Sequence, residues 1–167
     1  VWITSNDVVS ARVYTSDGIA VGDEFQVNTQ VADTHGWHPA AAMDADGNFV
    51  VVWVSDDGGG AGIAARLFDA DGAAQGDEFV VNTGVANSQL DPSVAMDSTG
   101  VFVVTWFSFV DVWTDSPILA QRFDADGTPL GGEFQVNSGA MTTTYPSPVA
   151  AIDDDGDFLI AWECTGA

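Results

Sequence analysis

The chain has 167 residues and a mass of 17.4 kDa, enough for one domain with a core of its own. Its 25 acidic residues face three arginines and no lysine, and a net charge of −22 repels phosphate backbones and anionic lipid, which excludes nucleic acid as a partner class. An apolar fraction of 46% argues against disorder, and no apolar run reaches the ~18 residues that a membrane span needs.

The chain begins at Val1 and Trp2 without an initiator Met or a basic leader. The start is therefore expected to be processed, trimmed or cut from a longer chain, which leaves export open. A strand is expected over 9–14 (VSARVY), then a turn over 15–18 in which Asp17-Gly18 signals a hairpin, then a strand over 25–28 (FQVN). Residues 29–38 are polar and lack periodicity, yet hold Trp37 and both histidines, His35 and His38. Residues 40–44 read as a strand of small side chains, 44–47 as a turn, and 49–54 (FVVVWV) as a strand apolar on both faces. A continuous apolar run means that neither face meets water, and connections too short for helices leave only other sheets to cover it. Residues 55–62 (SDDGGGAG) read as a flexible loop, 63–68 as an antiparallel return strand, 69–76 as a turn and 78–82 as a last strand.

This order then repeats. The strings at 39–53 (PAAAMDADGNFVVVW), 64–72 (AARLFDADG) and 77–82 (DEFVVN) return at 92–106, 120–127 and 132–137. A third copy starts at 148–162 (PVAAIDDDGDFLIAW), and its continuation stands at the other end of the chain, at 10–18 (SARVYTSDG) and 23–28 (DEFQVN). Gly18, Gly72 and Gly127 recur at intervals of 54 and 55 residues. Four short strands, no helix and a period of that length describe an all-β protein of propeller-like blades. Residues 1–167 are expected to form a single repeat domain with units 39–82, 92–137 and 148–162, the last completed by 9–28. Each blade runs from its small-residue strand through the Val-Trp and Arg-Phe strands to the Phe-Gln-Val-Asn strand. Three blades are too few to close a ring, so a homodimer of six blades, or membership of a longer chain, is expected; a β-sandwich is the alternative.

Residues 120–137 (AQRFDADGTPLGGEFQVN) and 44–53 (DADGNFVVVW) resemble tandem repeats of large secreted bacterial proteins that carry haemolysin-type calcium-binding nonapeptides elsewhere. That resemblance implies an extracellular or cell-surface location. It carries no calcium site over, because the Gly-Gly-x-Gly-x-Asp nonapeptide is absent. Residues 44–53 are more loosely similar to the Asp-box of sialidase-type propellers, without its Ser and its Trp spacing, which implies a structural turn.

Candidate sites follow from the same units. The Asp-x-Asp-Gly turns carry Asp44 and Asp46, Asp69 and Asp71, Asp124 and Asp126, and Asp153 with Asp155, followed by Asp157. Such carboxylates can ligate Ca²⁺, the one cofactor expected if any binds, with Asp153, Asp155 and Asp157 the densest set. The competing and favoured role is acceptance of backbone N–H groups within each turn. Arg12 and Arg66 share one slot and are expected to pair with Glu24, Glu78 or a turn aspartate. Trp53, Trp106 and Trp162 recur with the strands and are expected to pack between blades. Trp37, Trp113, His38 and Asp111 do not recur and form the candidate ligand-binding set; His35, His38 and Asp33 make a weak zinc site. Cys164 is the sole cysteine and excludes an intrachain disulfide. No nucleophile with an adjacent base and no phosphate-binding loop is present. The function expected is a noncatalytic extracellular binding or adhesion module directed at carbohydrate or a protein surface. The alternatives are a structural spacer or assembly subunit, and a glycoside hydrolase with two carboxylates at the propeller axis.

Overall fold

β-Branched and aromatic residues fill 49–54 and 102–107, and both runs become central strands buried on each face. The computed structural model describes residues 1–3, 8–29, 37–110, 116–138 and 145–163. These form four antiparallel sheets. The first holds β1 (Trp2–Ile3), β2 (Val9–Tyr14) and β3 (Ala20–Gln26). The second is a complete blade in the order β4 (Trp37–Met43), β5 (Phe49–Asp56), β6 (Ala61–Phe68) and β7 (Phe79–Val80). The third repeats it with β8 (Ser88–Met96), β9 (Phe102–Phe109), β10 (Ile118–Phe123) and β11 (Phe134–Gln135). The fourth pairs β12 (Val149–Ile152) with β13 (Phe158–Ala161).

The period-2 alternation of a strand splits the core into layers. Val50, Val52 and Val54 of β5 pack against Val94, Phe102, Val104 and Trp106 of the next blade. Phe49, Val51 and Trp53 point the other way, onto Val9, Ala11 and Val27 of the first sheet. Trp53 and Trp106 are fully buried between sheets, as their recurrence predicts. Trp162 holds the matching slot on the last sheet but stays 38% exposed, since among the described residues β13 has no strand on its outer side.

The outer strand of each complete blade pairs over only two residues, and in all three units an asparagine secures the end of the outer strand. Asn82 Oδ1 accepts the buried Ile63 N–H at 2.7 Å; Asn28 does the same for Val9 at 2.8 Å and Asn137 for Ile118 at 2.9 Å. A buried N–H without a partner costs about 1–3 kcal/mol, so this residue closes each unit's hydrogen bonding.

The strand order within each blade matches the sequence-based expectation, and a two-sheet sandwich is not the arrangement found. The described residues of one chain do not close a propeller. Within the chain, residues 9–28 and 148–162 lie in separate sheets, the first against β5 and the last against the third sheet. One expectation needs correction. Residues 55–62 are not an open loop: β5 runs to Asp56 and β6 starts at Ala61, with the Asp57 N–H donating to the Gly60 carbonyl at 3.1 Å.

Candidate functional site

The three inner strands β4, β8 and β12 present two rims, one at each end. At the end leading into β5, β9 and β13, Asp44, Asp97 and Asp153 occupy one repeat position. Each carboxylate folds back on its own turn. Asp44 Oδ1 accepts the N–H groups of Asp46 and Asn48 at 2.9 Å, and Asp153 Oδ1 those of Asp155 and Asp157 at 3.0 Å. Asp97 does the same for Thr99 and Val101, as do Asp69 and Asp124 in the outer turns. This is the turn role of aspartate, with a glycine in left-handed conformation closing each loop. The rim is stitched across blades: the Ala45 N–H donates to the Ser98 carbonyl at 3.4 Å, and the Ser98 N–H to Asp154 Oδ1 at 3.1 Å. The hydroxyl and N–H of Ser98 hold the exposed Asp154 carboxyl below its ordinary range.

The opposite rim precedes Pro39, Pro92 and Pro148. His38, Asp91 and Ser147 stand at equivalent positions, and all three backbones are left-handed, with φ of 53°, 49° and 39°. Proline disfavours the right-handed helical region in the residue before it, and the pairing register slips between Trp37 and Ala40 and again between Leu90 and Ser93. Such bulges re-aim side chains. Here they bring three unlike groups into one chain: His38 Nδ1 lies 2.5 Å from Asp91 Oδ1, and Ser147 Oγ donates to Asp91 Oδ2 at 3.1 Å. Asp91 is thus held by both neighbours, with its side chain 19% exposed and that of His38 57% exposed. Left-handed backbone at a non-glycine residue costs on the order of 1–3 kcal/mol and concentrates at functional sites.

Of the candidate ligand-binding residues, the structure places His38 in this cluster and Trp37 beside it at the start of β4, 45% exposed. Asp111 and Trp113 lie outside the described residues, as do His35, Asp33 and Cys164. Asp91 and Ser147 escape sequence reasoning. Their signal is the residue before each repeated proline, the point where three otherwise matched units read His, Asp and Ser.

The metal candidates Asp44, Asp46, Asp124, Asp126, Asp153, Asp155 and Asp157 stay distributed over separate turns, and the described residues contain no group of three side chains arranged to hold an ion. A cleft of about 410 Å³ between the complete blades is lined by Asp44, Asn48, Phe68, Asp69, Gln75 and Asp126, but Asp44 and Asp69 are engaged by their own turns. The expected arginine ion pairs are corrected. Arg12 donates from Nε and Nη2 to the Gly22 carbonyl, and Arg66 from Nε to the Gly76 carbonyl and from Nη1 to the Val27 carbonyl of the preceding sheet. The glutamates bind backbone instead: Glu78 accepts the Thr29 N–H and Glu133 the Thr83 N–H, each at 2.9 Å.

No family model matches the chain, and no curated protein matches it. Among solved structures it is similar to an endo-arabinase from Bacteroides thetaiotaomicron, with a TM-score of 0.48 and 16% identity over 90% of this chain. The chain spans 59% of that structure's length. The expectation of a strictly noncatalytic binding or adhesion module, and of no enzyme activity, stands corrected only to this extent: the solved structure to which the chain is similar is an endo-arabinase, and the likeness carries no activity over to this chain. The likeness assigns no residue a role. The described part of the chain contains no helix long and apolar enough to cross a membrane.

Proposed function

We propose that the chain is a carbohydrate-active module that cleaves glycosidic bonds outside the cell, with Asp91 as its reacting carboxylate. The observation that supports this reading is the pre-proline cluster, where a repeat that copies backbone geometry carries three different side chains bonded in a row. Chemistry on a sugar needs an asymmetric site, and this is where the described repeat becomes asymmetric. His38 and Ser147 orient the two oxygens of Asp91 and are positioning residues. Trp37 stands beside them at the start of β4, 45% exposed. Glycoside hydrolysis takes a second carboxyl group besides Asp91. Reducing-sugar release from a panel of polysaccharides, arabinan among them, tests the reading. Cleavage by the intact chain with loss of about 10²–10⁴-fold in Asp91→Asn is the expected outcome. Absence of cleavage across the panel, or full activity in Asp91→Asn, overturns it.

A further inference from the structure

The two end sheets are unfinished in opposite ways. The first has the outer strands of a blade, β2 and β3, while its inner side is covered only where β1 meets Val9 and Ser10. Among the described residues the last has the inner strands, β12 and β13, and no outer ones. Each leaves apolar groups in water that are covered in the complete blades. Met43, whose counterpart Met96 packs against the neighbouring blade, is 50% exposed. Val149 is 59% exposed and Leu159 66%, although their counterparts Ala40 and Val50 pack between blades. A cavity of about 270 Å³ lies beside the open part of β2, lined by Ala11, Val13, Tyr14, Ala41, Met43 and Phe49.

The complete blades show what belongs there. Phe49 stacks on Phe68 at 5.1 Å and Phe102 on Phe123 at 5.0 Å, with Phe25 and Phe79 tilted against those pairs. In the last unit Phe134 meets Phe158 at 6.2 Å, but among the described residues that sheet holds no third ring. Its counterpart by repeat position is Tyr14, 55% exposed at the far end of the chain. The same holds for the bonds between blades. Thr29 donates to Glu78 and Thr83 to Glu133, which leaves Ser138 and Glu24, both exposed, as the next pair in the series. Arg66 reaches the Val27 carbonyl of the preceding sheet, and in that series Arg12 matches the Val136 carbonyl.

We propose that the occupant of the β2 edge is β12–β13 of a second copy of this chain, and that two copies exchange these contacts reciprocally to close a six-bladed ring. The register follows β5–β6, where Phe49 faces Phe68 and Val50 faces Leu67. Phe158 of one copy lies opposite Tyr14 of the other, and Leu159 opposite Val13. Leu159 and Val149 then cover Met43, and the incoming strand fills the cavity. β1 keeps its place on Val9 and Ser10, so the new pairing spans Ala11 to Tyr14. Strand addition of this kind satisfies open backbone edges, and reciprocal exchange gives a closed cyclic dimer.

The inference stands independently of the glycosidase reading, and its test measures no activity. Each copy carries a charge of −22, so the mass is measured by light scattering at about 0.5 M salt, where charge repulsion is screened to within a few ångströms. Twice 17.4 kDa is expected, with reversion to a single copy in Leu159→Asp, a site exposed in the lone chain. Register is tested in a Cys164→Ser background by Val13→Cys with Leu159→Cys. Oxidation is expected to give a covalent dimer and leave each single-cysteine variant uncrosslinked. A folded chain of single-copy mass that fails to crosslink overturns the proposal, as does an open-ended series of larger assemblies.

Discussion

The two rims of the inner strands were built by the same repeat and came out differently. At the turn rim, Asp44, Asp97 and Asp153 share residue type, bonds and position, so each copy performs one job three times. At the pre-proline rim the backbone is copied, left-handed φ included, but the side chains are His, Asp and Ser, and they bond to one another across blades. Sameness at equivalent positions marks what the fold requires of every unit. Difference at an equally constrained position marks what a single site requires of the whole.

The sharpest way to break this contrast is to remove one residue from each rim. Asp91→Asn is expected to lower polysaccharide cleavage by about 10²–10⁴-fold and to leave the melting midpoint nearly unchanged. Asp97→Ala, which strands the N–H groups of Thr99 and Val101, is expected to cost about 1–3 kcal/mol in denaturant unfolding with little loss of rate per folded molecule. Equal effects of the two substitutions on both readouts would erase the distinction between the rims.

Stability in the layers between rims should follow burial. Trp106→Ala empties a fully buried interblade position and is expected to cost about 3–5 kcal/mol. The same change at Trp162, 38% exposed in the lone chain, is expected to cost far less. Asn82→Ala leaves the Ile63 N–H without its acceptor and is expected to cost about 1–3 kcal/mol, and Asn28→Ala a similar amount, because the geometry is repeated.

Much of this architecture was legible in the chain. The Val-Trp runs announce strands covered on both sides, and the 54-residue recurrence sets four strands to a blade in the order found. The asparagine at the end of each Phe-Gln-Val-Asn string was visible as a repeated letter. Its task was not, since the Val9, Ile63 and Ile118 N–H groups it satisfies lie 19 residues away on a neighbouring strand. The arginines misled for a related reason: in so acidic a chain a carboxylate partner is the natural expectation. Backbone carbonyls instead lie within reach of a fork-shaped donor, at Gly22 within β3, Gly76 before β7 and Val27 just after β3. The Asp91 cluster was hidden because its members lie 53 and 56 residues apart and meet through the left-handed backbone before each proline, with bulges in two of the three strands.

The smallest expected effect lies at the turn rim. Ser98 holds the Asp154 carboxyl below its ordinary pKa, so this contact stabilises the fold above the usual carboxylate range and is lost as pH falls through the lowered value. Melting midpoints of the wild type and Asp154→Asn should differ slightly at neutral pH and converge in acid. A gap that persists at the acid end would assign the effect to something other than ionisation.

The direct measurement of the central claim is the pair of numbers, cleavage rate and unfolding free energy, for Asp91→Asn beside the wild type. The account predicts that the rate collapses while stability holds to within about 1 kcal/mol. A variant that cleaves at the wild-type rate, or one whose lost activity is matched by lost folding, would show that the unlike side chains before the prolines are a joint between blades and not a site.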